Sequence, residues 1–128
     1  MNANNHESLR TAVGDLMPQA IDTLTSYVRI PSVAAQNQGI PEAVKFVVEL
    51  LEKTGGEARV LSDLGGNPVI YGFFPAGQNG APDKTLLFYN HYDVQPPEPF
   101  DEWQTEPFEA TEIDGILYDG ELLTTKLI

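Results

Sequence analysis

An α/β sandwich, with helices packed on a mixed β-sheet, is the fold that the order of elements along this chain predicts. Three observations carry that expectation. Apolar residues recur at three- and four-residue steps over the first half of the chain, and short apolar runs bounded by glycine and proline follow. No internal repeat, low-complexity tract or linker interrupts them. At 128 residues the chain is at most one domain, able to bury roughly two thirds of its unfolded surface.

The opening stripe is Leu9, Val13, Leu16, Met17, Ala20, Ile21, Leu24 and Val28, which is one face of a helix. Pro18 interrupts it and predicts a kink, or two consecutive helices with the proline in the first turn of the second. Pro31 ends it, because the residue before a proline is pushed out of the α region. Arg29-Ile30-Pro31-Ser32-Val33 is therefore a helix exit into a loop that reaches Gly39. A second helix is expected from about Pro41 to Lys53, buried through Val44, Val47, Val48, Leu50 and Leu51, with Gly55-Gly56 as its stop. Strands are expected at Ala58 to Leu61, Pro68 to Phe74 and Leu86 to Val94. Between them lie the turn Gly65-Gly66-Asn67 and the loop Ala76 to Asp83. Phe108 to Ile113, the pair Asp114-Gly115, and Ile116-Leu117-Tyr118 read as a hairpin with a primed turn.

Composition narrows the function classes. Nineteen acidic residues against seven basic ones give a net charge of −12. Nucleic-acid binding needs the opposite sign, since its affinity comes largely from cations on phosphates. Solubility is the plain reading of the acidity, with carboxylates gathered around a cation as the other. Zero cysteines exclude disulfides and thiolate zinc sites and suit a reducing compartment. The longest apolar runs fall far short of the ~18 residues of a membrane span, and Met1 to Arg10 lacks the pattern of a secretory signal. A cytoplasmic protein with no membrane and no nucleic-acid partner is the expectation.

The segment Leu86-Leu87-Phe88-Tyr89-Asn90-His91-Tyr92-Asp93-Val94-Gln95-Pro96 carries the chemistry. An apolar strand ending in a histidine and an aspartate two apart places both on one face, at the strand end where ligands of open α/β sheets sit. Zinc takes neutral imidazole, and the second ring nitrogen is normally held by a carboxylate or carbonyl. A bare His-x-Asp also describes a hydrogen-bonded surface or core histidine, and the pair alone favours that plainer reading. The flanking run Pro96 to Phe108, with four prolines between them counting Pro107, cannot be helix or central strand and reads as an irregular loop at the strand end. Trp103 and Phe108 read as aromatics that pack this loop. His6, the other histidine, reads as solvated.

These residues reach a family. His91-Tyr92-Asp93-Val94-Gln95-Pro96, then Trp103, Pro107-Phe108 and Asp114-Gly115-x-Leu117-Tyr118, closely resemble the two-zinc aminoacylase and carboxypeptidase-like metallopeptidases. That family includes carnosine-type dipeptidases and the succinyl-diaminopimelate and acetylornithine deacylases. Arg29 to Val33 and the helix before it match the family's opening, so the resemblance runs from about Leu9 to Tyr118. The wording of the motif is closer to the dipeptidase branch. The resemblance implies an incomplete zinc-exopeptidase-like sandwich, with residues 1–128 as the N-terminal part of a catalytic domain. It implies that His91 ligates one of two zinc ions, and that Asp93 serves catalysis by steering that imidazole without binding metal. It further implies a small peptide or N-acyl amino acid as substrate, and a homodimer for the full-length relative.

The tail departs from the family. After the hairpin the family reads Gly-Arg-Gly, two small residues and Asp-Asp-Lys, the first aspartate bridging both metals. Here Asp119 to Ile128 places Thr124-Thr125-Lys126 at that position, and a neutral hydroxyl does not replace a bridging carboxylate. The family's glutamate pair and distal histidine are absent from the chain. Codons chosen for Gly120 to Ile128 can be read from their third base as Gly-Val-Ala-Asp-Asp-Lys-Ala-Asn, so a base lost near codons 119 to 120 is one expectation. A natural or deliberate alternative ending is the other. One imidazole holds zinc weakly, so no peptidase activity is expected of these residues alone. The competing reading is a non-catalytic truncated module without metal chemistry.

Overall fold

A computed structural model describes residues 3–63, 65–78, 80–81 and 83–118. The chain divides into two compact units, Met1–Arg29 with Glu98–Ile128, and Ile30–Pro97. It is an α/β protein, with two α-helices and two small antiparallel sheets among the described residues.

In the first unit, α1 (Ala3–Val28) runs 26 residues straight through Pro18, so the chain forms one helix here rather than two. The hydroxyls of Thr11, Thr23 and Ser26 donate to carbonyls one turn back, those of Glu7, Gln19 and Asp22. Leu9, Val13, Leu16, Met17 and Ile21 are exposed. The periodicity records a face suited to burial; burial itself needs a second surface laid against it. From Glu98 the chain is irregular apart from a 3-10 turn at Phe100–Glu102, and Trp103 and Phe108 are half-buried. β3 (Thr111–Ile113) then pairs with β4 (Ile116–Tyr118), with Ile113 opposite Ile116. Asp114 (φ 52°) and Gly115 (φ 77°) close the hairpin in left-handed conformations, which is the primed turn the sequence predicts. The departure at 119–128 lies outside the described residues.

In the second unit, α2 (Ile40–Lys53) starts with Pro41 in its first turn. The chain turns left-handed at Gly55 (φ 92°), as expected of a glycine stop. β1 (Glu57–Leu61) and β2 (Val69–Phe73) pair antiparallel from Glu57 opposite Phe73 to Leu61 opposite Val69. α2 packs on both strands, and Leu51 sits so close over Gly72 that a Cβ there would lie 3.0 Å from its methyl carbons. The tightest packing is elsewhere, where Val33, Ile40 and Ala43 are buried with the Ser32 side chain. Gly39 makes that packing possible. Its φ is +63°, and a Cβ on it would stand 2.5 Å from the Pro31 carbonyl oxygen. Only glycine lets the start of α2 approach the Pro31–Val33 backbone this closely.

The expected strand from Leu86 to Val94 is corrected. Among these residues only Val94 makes a bridge, parallel to Val33, and residues 85–93 carry no strand. Leu86, Leu87, Phe88 and Tyr89 are 77–90% exposed. An apolar, β-favouring run becomes a strand only when a neighbour takes up its N–H and C=O groups. Among the described residues none pairs with this stretch beyond Val94.

Candidate functional site

The two sequence-predicted site residues lie together, just before Val94, the residue of this stretch that bridges Val33. His91 Nδ1 is 2.8 Å from the main-chain oxygen of Asp93 and 3.5 Å from its carboxylate Oδ1. A hydrogen bond needs the shorter distance, so Asp93 holds the ring chiefly through its backbone. A carbonyl oxygen only accepts, so Nδ1 carries the proton in this contact. In the uncharged form of such a ring Nε2 keeps its lone pair, open to a cation or an incoming proton. Both side chains reach solvent, at 65% exposure for His91 and 42% for Asp93.

Tyr92 lies between them in the chain. Its hydroxyl donates to the Pro68 carbonyl at 2.8 Å. Burial pushes its phenol above the ordinary value, and the Asp93 carboxylate pushes the same way, so the hydroxyl stays protonated as a donor. Ser32 completes the arrangement: its hydroxyl donates to the Tyr92 carbonyl at 2.8 Å, and its own carbonyl accepts the Val94 N–H at 2.9 Å. The sequence reading placed Ser32 and Tyr92 in the right motifs and assigned them no role. A serine directly after a helix-ending proline was the available signal, yet a partner sixty residues away has no local signature.

Among the described residues no group of three or more histidine, cysteine, aspartate or glutamate side chains is placed to hold a metal ion. Zinc sites use three or four protein ligands. The donor set here is one imidazole, which fits a contributor to a metal centre and does not make one by itself.

No protein-family model matches the chain. Individual proteins do. It is 32% identical over 117 residues to the Cys-Gly metallodipeptidase DUG1 of Candida albicans, covering 80% of this chain and 24% of that protein. It is 32% identical over 95 residues to the succinyl-diaminopimelate desuccinylase of Legionella pneumophila, covering 74% and 23%. In three dimensions it resembles an M20 family metallo-carboxypeptidase from Sulfolobus solfataricus, with TM-score 0.63 and 39% identity over 73% of this chain and 21% of that one. The chain thus spans about a quarter of the length of the curated relatives it matches.

Proposed function

We propose, on the premise that this chain resembles one stretch of the M20-type metallopeptidases, that it forms the N-terminal part of such a catalytic domain. Its role is to supply one ligand, His91, to a zinc centre that hydrolyses a dipeptide or an N-acyl amino acid. One observation carries the reading: His91 is held through Nδ1, so that Nε2, the nitrogen a metal would take, is the free one. Asp93 is the steering residue, through its main-chain oxygen first and its carboxylate second. Bound zinc would polarise a scissile carbonyl and acidify an attacking water. What this chain contributes is narrower: it orients one imidazole and fixes its proton on Nδ1. Among the described residues no further acidic or imidazole groups gather with His91 to complete a centre, and one imidazole holds zinc weakly, so the expected outcome is no hydrolysis by the 128-residue chain on its own. A cytoplasmic setting suits the peptide substrate, and no described helix is long and apolar enough to cross a membrane.

A chimera tests this. The stretch of the Sulfolobus carboxypeptidase that matches this chain is replaced by this chain's sequence, ending no later than Tyr118. The chimera should hydrolyse peptides only with its metal, and His91→Ala should lower kcat/KM by two orders of magnitude or more. A folded, metal-loaded chimera indifferent to His91→Ala would refute the assignment, and so would metal-dependent dipeptide hydrolysis by the 128-residue chain alone.

A further inference from the structure

We propose that Ser32 is a positioning residue for His91: it clamps the backbone on both sides of Asp93 and thereby sets which ring nitrogen carries the proton. This deepens the reading of His91 as a ligand and rests on it for its functional meaning. Ser32 is 3% exposed, a polar residue buried as a whole. A buried hydroxyl is kept where it has a partner, and its partner is the Tyr92 carbonyl. Its main-chain oxygen takes the Val94 N–H, beside the fully buried Val33 that bridges Val94. Tyr92 is tied a second time through its hydroxyl to Pro68.

The consequence follows from peptide geometry. The Asp93–Val94 peptide is one rigid plane, and in a trans plane the C=O and the N–H point in opposite directions. Ser32 grips this plane by the Val94 N–H, so the Asp93 oxygen is turned outward, where it meets the His91 Nδ1–H. The Ser32–Tyr92 bond fixes the preceding plane in the same way. A ring free in water favours its proton on Nε2; the outward Asp93 oxygen reverses this and leaves Nε2 open. Serine 32 thus acts on the imidazole without touching it.

The test reads the tautomer directly. Long-range proton–nitrogen spectra of the 15N-histidine-labelled chain are recorded at about pH 8.5, above the ordinary titration range of imidazoles. His6, on an exposed position of α1, serves as the free-ring standard. In the wild type, His91 should show a protonated Nδ1 and an unprotonated Nε2. In Ser32→Ala its two nitrogen shifts should move toward those of His6, while the amide signals of Val60 and Ile70 in the β1–β2 ladder stay in place. The main-chain bond from the Val94 N–H to the carbonyl of residue 32 survives this change, so Val94 should keep most of its exchange protection while the freed Tyr92 carbonyl lets the His91 ring relax. Ser32→Ala that remains folded with an unchanged His91 pattern would overturn the proposal. If the variant does not fold, the wild type decides: an unprotected Val94 amide overturns the clamp, and a protected one with Nδ1-protonated His91 supports it. A tautomer that responds to Ser32 in a chain whose chimera ignores His91 keeps the clamp and removes the metallopeptidase reading. The opposite pattern removes the clamp alone.

Discussion

Replacing Gly39 by alanine probes the packing on which the site stands. Gly39 has φ +63°, and an added Cβ would lie 2.5 Å from the Pro31 oxygen and 2.8 Å from the Pro31 carbonyl carbon. Ordinary contact is 3.4–4 Å, so the two backbones must separate by nearly an ångström. The left-handed conformation costs a residue with a Cβ about 1–2 kcal/mol, and forcing volume into a packed site costs roughly 1–3 kcal/mol more. The sum, about 2–5 kcal/mol, weakens the closed form by thirty-fold to several thousand-fold. The loss is local, because the backbone pushed away is that of Pro31, directly before Ser32. Amide hydrogen exchange is the suitable assay, read at Val94, whose N–H is held by the Ser32 carbonyl. Its protection should fall by at least thirty-fold or vanish. Gly14→Ala is the control: Gly14 lies inside α1 with nothing within 4 Å of its would-be Cβ, so that change should stabilise the helix by ~0.5–1 kcal/mol. Gly39→Ala with Val94 protection unchanged would show that the approach of α2 to Pro31 is not what holds the clamp shut.

Other consequences are read from single substitutions. Tyr92→Phe removes the 2.8 Å bond to the half-buried Pro68 carbonyl and should cost about 0.5–1.5 kcal/mol, seen as a lower urea midpoint; an unchanged midpoint would leave that bond without energetic weight. Val33→Ala empties a side chain that is the one large, fully buried one among the described residues and should cost about 2 kcal/mol, with faster exchange at Val94; wild-type behaviour would place the packing centre elsewhere. Leu87→Lys should suppress concentration-dependent self-association in light scattering, because a charge on an unpaired, exposed run discourages edge-to-edge pairing. The added cation also reduces a net charge of −12, which works weakly the other way. A fall in association therefore reports on the edge, and a rise would show that charge repulsion governs instead.

Much of the fold was legible where the cause is local. Pro31 and Pro41 bracket the loop between α1 and α2, Gly55 turns the chain after Lys53, and Asp114-Gly115 sets a two-residue hairpin turn. Each follows from the steric map of one or two residues. β1 and β2 were legible as strands on either side of the turn Gly65-Gly66-Asn67, while their antiparallel pairing is shown by the structure. At Pro18 the alternative of two helices gives way to one continuous α1, because a proline removes a single N–H and disturbs the turn before it, a loss that a long helix can carry. Leu86 to Phe88 failed for another reason, since a β-favouring composition describes what a segment can do when a partner is at hand. His91 and Asp93 do lie together, yet not as neighbours on a strand face, since no strand forms here; the contact runs through the Asp93 main-chain oxygen.

From the order of residues alone come the helices, the turn types, the hairpin, the acidity and the placing of one imidazole next to one acid. All of these depend on periodicity or on backbone sterics within a few neighbours. Tertiary structure alone decided that Ser32 reaches Tyr92 and Val94 across sixty positions, that Val33 is sealed, and that His91 turns its Nδ1 to a main-chain oxygen. Those contacts arise when distant segments close on each other around Gly39. Which donor then meets which acceptor is set by the rigid planes brought together, and no residue's own preference encodes that.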